Sequence, residues 1–242
     1  MLQGKRIFLT GGAGFIGTTV AGLLADANEV VLYDNLHNDA LSQTSLADHP
    51  NVTFVQGDIL DIDAMRGAAE GATHIVHMAA IAGVATVLKS PVRTMRVNLL
   101  GTFNMLRQAA AAMAKTDPIT EDGQRGAIVN MASGAAVVAA PGQPQYTAAK
   151  HGVLGLTRQA AQEYAAQGIR VNAVLPGQTA TGPMQAYLDA LPDGGERMLR
   201  RLPMGRMATP EEVARATVWL CSAEASYVNG VALTVDGGLI AR

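Results

Sequence analysis

A glycine-rich turn between a strand-like run and a helix-like run constrains the fold of this chain more than any other feature. Residues 5–10 are typical of a buried strand, and a helical pattern runs from the turn to about residue 26. Glycines let the backbone approach a pyrophosphate closely, and a helix N-terminus offers free amide donors and a positive dipole. Strand, turn and helix in this order therefore predict a dinucleotide site. The predicted contacts of the turn are Gly11, Gly14, Phe15, Ile16 and Gly17.

A carboxylate follows the second strand-like run, which covers residues 29–33. Asp34 lies seventeen residues after Gly17. A carboxylate at this place accepts hydrogen bonds from the ribose hydroxyls of adenosine and repels a 2′-phosphate. Asp34, with Asn35 beside it, therefore predicts NAD rather than NADP as the cofactor. The alternative is a turn-forming aspartate, because an Asp-Asn pair also favours a turn.

The rest of the chain repeats this alternation of strand-like and helix-like runs. Because 49% of its residues are hydrophobic, the chain can bury a large core. The pattern predicts an α/β fold: one Rossmann-type domain over residues 1–242, with a doubly wound parallel sheet of about seven strands and helices on both faces. The further strand-like runs are 51–56, 73–77, 127–131, 169–175 and 231–235.

Acidic and small residues follow the third and fourth of these runs. Asp58, with Ile59 after it, is a candidate contact of the adenine, or else the cap of a helix that starts near residue 61. Ala79 and Ala80 keep the side chains small where the chain turns beside the cofactor. His74 and His77 are an odd number of residues apart in a strand, so we interpret both as structural residues on opposite faces.

Composition narrows the possible partners. The net charge is −2 and no long basic run occurs, which argues against nucleic acid. No apolar run approaches the ~18 residues that span a bilayer, so we expect no membrane association. Cys221 is the single cysteine and cannot form an internal disulfide, which fits a reducing, cytoplasmic compartment. The five histidines lack zinc-ligand spacing, so we predict no metal.

A tyrosine and a lysine four residues apart carry the candidate chemistry. In a helix, Tyr146 and Lys150 of the run YTAAK lie on one face, one turn apart. An ammonium beside a phenol favours the phenolate, so we expect the pKa of Tyr146 to fall toward neutrality. Such a phenol can take a proton from an alcohol or return one to a carbonyl. Taken singly, the pair also fits an amphipathic helix, and Ser133, thirteen residues upstream, also fits a turn cap.

Read together, these motifs resemble the short-chain dehydrogenase/reductase superfamily over nearly the full length of the chain. The matching segments are TGGAGFIG at 10–17, NMAS at 130–133, YTAAK at 146–150, RVNAVLPG at 170–177 and NGVALTVDGG at 229–238. The resemblance implies that Tyr146 is the catalytic acid/base, that Lys150 lowers its pKa and binds the nicotinamide ribose, and that Ser133 bonds the substrate oxygen. It implies that Asn98 holds a water in a proton relay. The further cofactor contacts it implies are Pro176, Gly177, Thr179 and Thr181, of which Thr181 meets the carboxamide.

The two halves resemble different branches of that superfamily. Up to about residue 110 the chain is similar to the extended branch of sugar-nucleotide epimerases and dehydratases, with YDNL at 33–36, GDI at 57–59 and HMAA at 77–80. From about residue 125 it is similar to the classical branch. Because the VDGG strand lies near the end of the sequence, we expect no room for the C-terminal sugar-nucleotide domain of extended members. We therefore interpret the chain as a mosaic of the two branches. In this interpretation the extended-branch pattern of the first half indicates the preferred cofactor, NAD, and not the substrate.

Three functions follow as hypotheses. The first is an NAD-dependent oxidoreductase that interconverts a secondary alcohol and a ketone. The second is a sugar-nucleotide epimerase or dehydratase in which NAD is recycled. The third is a non-catalytic NAD-binding protein.

Two further expectations concern the substrate and the assembly. Residues 183–206 have the features of a mobile lid over the substrate, with Met184, Tyr187, Leu188, Met198 and Leu199 as apolar contacts. The lid arginines 197, 200 and 201 would bind a carboxylate or phosphate, or else form a solvated face. The alanine- and leucine-rich helices at 92–114 and 146–166 predict a homodimer or homotetramer, as in the family.

Overall fold

The chain folds around one sheet of seven parallel strands, in a computed structural model that describes residues 2–241. The strands are β1 (Arg6–Thr10), β2 (Glu29–Asp34), β3 (Val52–Gln56), β4 (His74–His77), β5 (Gly126–Met131), β6 (Ile169–Pro176) and β7 (Ala232–Val235). Their order across the sheet is β3-β2-β1-β4-β5-β6-β7. The predicted α/β class, the doubly wound parallel sheet and its seven strands are confirmed.

Helices cover both faces of the sheet, as predicted. They are α1 (Phe15–Leu24), α2 (Ile62–Ala68), α3 (Val84–Lys89), α4 (Pro91–Met95), α5 (Thr102–Met113), α6 (Pro144–Tyr164), α7 (Gly182–Asp189), α8 (Glu196–Leu199) and α9 (Pro210–Cys221). One apolar core joins α1 and α9 to one face, and a second joins α2, α5 and α6 to the other. Both faces are buried, which explains why the strands read as nearly continuous apolar runs. Over residues 2–241, no helix combines the length and the apolar character that crossing a bilayer requires.

Two glycines allow the turn after β1 to pack more tightly than any other residue would permit. A Cβ on Gly17 would lie 2.3 Å from the carbonyl oxygen of Gly11. A Cβ on Gly11 would lie 2.6 Å from the backbone nitrogen of Ala79, and Gly11 also has a φ of +69°. Both distances are far below van der Waals contact. The turn and the start of α1 are therefore held directly against the segment that follows β4.

The helix predicted over residues 92–114 is continuous but not regular. Between α4 and α5, residues Arg96–Gly101 form a π-helical segment. Asn98 lies inside this segment and is 1% exposed. A π-helical turn carries more residues per turn than an α-helix and is often found at functional sites. Here it turns Asn98 inward, toward the chain that follows β4.

Candidate active site

A cleft at the carboxyl ends of β1 to β4 collects eight of the residues predicted to contact the cofactor. It lies where the strand order reverses, between β1 and β4, which is the usual ligand site of a doubly wound sheet. The predicted residues that line it are Gly11, Gly14, Asp34, Asn35, Asp58, Ile59, Ala79 and Ala80. Phe15, Ile16 and Gly17 open α1 at its edge.

The start of α1 fits a dinucleotide pyrophosphate. The residue at the N-cap is Gly14, which has no side chain to bond the first amides of the helix. A helix N-terminus left open in this way binds anions through its amides and its dipole. With Gly11 and Gly17 excluding any Cβ, the backbone itself forms the cradle.

Asp34 is partly buried at the end of β2 and is held by two backbone amides. Its Oδ1 accepts a hydrogen bond from the amide of Leu36 at 2.8 Å, and its Oδ2 accepts one from Ala13 at 3.2 Å. Burial raises the pKa of Asp34, while these hydrogen bonds act in the opposite direction. The carboxylate thus both shapes the turn, where Leu36 has a φ of +60°, and lines the cleft. The turn-forming role is therefore present, and the position of Asp34 in the cleft leaves the predicted ribose contact as a prediction.

Asp58 lines the cleft but does not cap the following helix. Its Oδ1 accepts a hydrogen bond from the amide of Leu60 at 2.9 Å. The cap of α2 is Asp61, whose side chain accepts from the amide of Ala64 at 3.1 Å. Capping by Asp58 is therefore wrong, because the chain needs a further turn before α2 begins.

The far wall of the cleft was missed by the sequence analysis. It comes from the segment after β4 and from α3 and α4, which pack over the opening. Its residues are Ile81, Thr86, Ser90, Arg93 and Val97. Pro91 predicts only that a helix begins there, so no local signal placed these residues at the cleft.

Ser133, Tyr146 and Lys150 come together beyond the end of β5. Ser133 follows this strand and accepts a hydrogen bond from the amide of Ala135 at 3.2 Å. The same hydroxyl is near enough to the phenol of Tyr146 to act on the pKa of that phenol in the lowering direction. Lys150 is 3% exposed; its Nζ lies 5.7 Å from the centroid of the Tyr146 ring and donates to the carbonyl of Met131 at 2.8 Å. The predicted helical pairing of Tyr146 with Lys150 is therefore present.

The expected direction of the Tyr146 pKa shift is wrong for this arrangement. Burial raises the pKa of the phenol, and the nearby hydroxyl of Ser133 offsets only part of this. The ammonium of Lys150 is directed at a backbone carbonyl rather than at the phenol oxygen. Burial also lowers the pKa of Lys150, to about 8. Desolvation therefore outweighs the neighbouring cation, which sequence spacing could not reveal.

The side chain of Asn98 forms its hydrogen bonds with the segment after β4 and not with Tyr146 or Lys150. Its Oδ1 accepts from the amide of Ile81 at 2.7 Å, and its Nδ2 donates to the carbonyl of the same residue at 2.9 Å. Its own carbonyl accepts from the hydroxyl of Thr102 at 2.8 Å. The side chain thus fixes one wall of the cleft.

The segment after β6 brings the remaining predicted contacts to the same edge of the sheet. Pro176 ends β6, and Gly177 packs against Asp236, which a Cβ on that glycine would meet at 2.7 Å. Thr179 is buried, and its carbonyl accepts from the amide of Thr181 at 2.9 Å. Thr181 is the N-cap residue of α7, although its side chain makes no cap hydrogen bond.

The candidate lid contains α7 and α8 and begins against the glycine turn. A Cβ on Gly182 would lie 3.0 Å from the ring of Phe15, so the two segments touch. Two lid side chains that were candidates for contact with the substrate have partners inside the lid instead. Leu188 is 1% exposed and packs on Gly195 inside the lid, and Arg200 pairs with Glu196.

Among residues 2–241, no group of His, Cys, Asp and Glu side chains gathers into a metal site.

Comparisons with known proteins agree with this geometry. A family model described as Enoyl-(Acyl carrier protein) reductase matches residues 12–240. The 2,5-dichloro-2,5-cyclohexadiene-1,4-diol dehydrogenase of Sphingobium indicum is 35% identical, over 99% of this chain and 98% of that protein. A protein named inactive 2-(S)-hydroxypropyl-CoM dehydrogenase 2, from Xanthobacter autotrophicus, is 40% identical over 77% of this chain and 84% of its own length.

Solved structures show the same fold. A short-chain oxidoreductase from Burkholderia thailandensis superposes with a TM-score of 0.86 at 29% identity, covering 100% of this chain and 94% of that one. A putative 2-deoxy-D-gluconate 3-dehydrogenase from Agrobacterium tumefaciens, solved with bound NADP, gives 0.84 at 33% identity, covering 100% and 98%. The matched family model spans nearly the whole sequence. The chain belongs to the short-chain dehydrogenase/reductase family.

Proposed function

We propose that this protein is an NAD-dependent oxidoreductase that interconverts a secondary alcohol and a ketone, with Tyr146 as the acid/base. The observation that carries this is the grouping of Tyr146 with the buried Lys150, whose Nζ lies 5.7 Å from the ring centroid, beyond β5 at the edge of the sheet that also bears the dinucleotide cleft. Ser133, whose hydroxyl acts on the pKa of the same tyrosine, completes the group. The relatives named dehydrogenases support the oxidoreductase class.

The residues of the site divide the proton chemistry among them. A bound nicotinamide supplies or accepts the hydride. Ser133 orients the substrate oxygen, and Tyr146 exchanges a proton with that oxygen. Because burial raises the pKa of Tyr146, the phenol is protonated at neutral pH and suited to donate its proton to the oxygen of a ketone. Lys150 places a positive charge below the ring, which stabilises the phenolate left after that donation.

The choice of NAD rests on Asp34. Both its oxygens face amides of the turns that line the cleft, and its negative charge repels a 2′-phosphate. The Agrobacterium relative carries NADP, so family membership alone does not select the cofactor. The extended-branch style of the N-terminal half, with YDNL at 33–36, supports the same choice.

A single domain over residues 1–242 with a lid at 183–206 completes the proposal. The apolar lid residue Tyr187 is 37% exposed, which suits contact with a partly apolar substrate. Apolar side chains also stay exposed along α4, the π-helical segment and α5, where Val92 is 72%, Leu100 51% and Phe103 44% exposed. We assign this surface to contact with a second copy in a homodimer or homotetramer.

Replacement of one tyrosine tests the proposed chemistry. Tyr146→Phe removes the exchangeable proton, so we expect kcat for ketone reduction to fall by at least a hundredfold. The dissociation constant for NADH, measured by fluorescence, should change less than threefold. Tyr164→Phe at the other end of α6 is the matched control and should keep full activity. Activity retained in Tyr146→Phe would reject the mechanism, and NADH binding with no turnover across a broad alcohol and ketone panel would favour a non-catalytic binder.

A further inference from the structure

His77 occupies the last position of β4 and is 2% exposed. Both nitrogens of its ring have threonine partners. Nδ1 lies 2.6 Å from the hydroxyl of Thr10 at the end of β1, and Nε2 lies 2.9 Å from the hydroxyl of Thr102 at the start of α5. The ring therefore bridges β1, which leads into the glycine turn, and the start of α5, which follows the π-helical segment that holds Asn98.

The direction of each hydrogen bond follows from the neighbours. The hydroxyl of Thr102 donates its one proton to the carbonyl of Asn98 at 2.8 Å, so toward His77 it can only accept. Nε2 must therefore carry the ring proton and donate. In a neutral imidazole Nδ1 is then an acceptor, and the hydroxyl of Thr10 donates to it. The oxygen of Thr10 in turn accepts from the amide of Ala79 at 3.4 Å.

The charge state of the ring is consistent with this assignment. Burial and, to a smaller extent, the positive charge of Lys150 lower the pKa of His77 to about 3. A neutral ring has one donor and one acceptor, which is what the two threonines require. The sequence positions of the partners, 67 and 25 residues away, show that this is a tertiary connection.

The chain of hydrogen bonds reaches the segment after β4 from both ends, directly at Ala79 and through the side chain of Asn98 at Ile81. At one end it reaches the amide of Ala79, which lines the cleft. At the other end it reaches the carbonyl of Asn98, whose side chain clamps Ile81 at 2.7 and 2.9 Å. Because the chain terminates at a backbone amide, no proton can leave through it. Its effect is to hold residues 79–81 in place.

We infer that His77, with its proton on Nε2, is a positioning residue that fixes residues 79–81 against the glycine turn and thereby sets the width of the dinucleotide cleft. This inference rests on the proposed function for its consequence in catalysis, but its structural content does not depend on turnover. A Cβ on Gly11 would already collide with Ala79, so even a small shift of this segment changes the surface offered to the cofactor.

Two matched threonine variants test the inference. Thr102→Val removes the acceptor for Nε2, whereas Thr217→Val removes a buried helical threonine that likewise donates to the carbonyl four residues earlier but has no histidine partner. In Thr102→Val we expect hydrogen–deuterium exchange at residues 79–81 to accelerate and the dissociation constant for NADH to rise about five- to tenfold, near the worth of one hydrogen bond. Thr217→Val should change neither beyond twofold.

Nitrogen-15 NMR of imidazole-labelled protein at pH 7 provides the second measurement. We expect His77 to carry its proton on Nε2, and His77→Gln, which keeps a donor and an acceptor, to bind NADH more tightly than His77→Leu. A proton on Nδ1, a doubly protonated ring, or equal exchange at 79–81 in the two threonine variants would overturn the inference. Wild-type protein that lacks turnover yet shows the Nε2 proton and the threonine contrast would reject the proposed function alone.

Discussion

Lys150 donates from its buried Nζ to the carbonyl of Met131 at 2.8 Å. The partner of this buried amine is a neutral backbone carbonyl and not a carboxylate. Burial away from water is therefore uncompensated by an opposite charge, and it lowers the pKa of Lys150 to about 8. The position of the ammonium beneath Tyr146 is thus maintained at a cost in stability. That cost depends on pH in a way that can be measured.

Stability should rise with pH through the alkaline range because of Lys150. Its pKa is about 8 in the folded protein against 10.5 for an ordinary lysine, so the unfolded chain binds more protons between these values. Below pH 8 the lysine is charged in both states, so burial of the charge lowers the free energy of unfolding by its full amount. Above pH 10.5 the lysine is neutral in both states, and this effect is absent. Between pH 7 and pH 9.5, Lys150 should contribute a gain of roughly 2 kcal/mol to the free energy of unfolding.

Urea unfolding of two variants isolates this contribution. Lys150→Met should lose the alkaline gain relative to wild type, whereas Lys89→Met, at an exposed lysine of α3, should keep it. All three proteins share their other titrating groups. The difference in pH dependence between a variant and wild type therefore reports the replaced lysine alone. An identical pH dependence in Lys150→Met and wild type would show that the ammonium is not desolvated.

Replacing Asp34 should relax the cofactor preference. We expect wild type to favour NADH over NADPH in kcat/KM, and Asp34→Asn to reduce this ratio at least tenfold, about 1.4 kcal/mol, because the charge that repels a 2′-phosphate is gone. Asp39→Asn removes a neighbouring exposed carboxylate and should leave the ratio within threefold. A wild type that prefers NADPH, in line with the NADP bound to the Agrobacterium relative, would contradict the prediction.

Two glycines of α1 should respond in opposite directions to replacement by alanine. The new methyl group in Gly17→Ala would lie 2.3 Å from the carbonyl of Gly11, so we expect a loss of about 2 kcal/mol or more and weaker NADH binding. Gly22, in the same helix, has nothing within 4 Å, and Gly22→Ala should stabilise by up to about 1 kcal/mol through helix propensity. Thermal and urea unfolding distinguish the two, and equal effects would mean that the turn is not closely packed.

The exposed apolar surface of α4 and α5 should control assembly. A Val92→Glu, Phe103→Glu double variant places two charges on it, and light scattering should then report a monomer where wild type is a dimer or tetramer. Leu23→Glu, at a 39% exposed leucine of α1, is the control and should not alter the mass. A monomeric wild type would remove the basis for assigning this surface to a second copy.

Local patterns in the sequence were sufficient for the fold and for much of the candidate site. The glycine turn, Asp34 at the end of β2 and the helical spacing of Tyr146 and Lys150 each depend on neighbours within a few residues, and each lies where it was predicted. Alternation of strands and helices led directly to the parallel sheet.

The parts that sequence reasoning missed depend on burial or on distant partners. The raised pKa of Tyr146 follows from desolvation, which spacing does not encode. The hydrogen bonds of His77 reach residues 67 and 25 positions away, and Leu188 turns inward only because Gly195 leaves space for it. Such features require the packed chain.

The π-helical segment at Arg96–Gly101 limits how this chain can change in length. Each residue of a helix advances the side-chain direction by about 100°. Because a π-helical turn holds an extra residue, deleting one residue there would convert the segment to regular α-helix and keep the buried row of Met105, Leu106 and Met113 on the sheet, at the cost of the inward placement of Asn98. A single deletion should therefore be tolerated in this segment and in the polar loop that follows α5, whereas a deletion within α5 itself would turn its buried row away from the sheet.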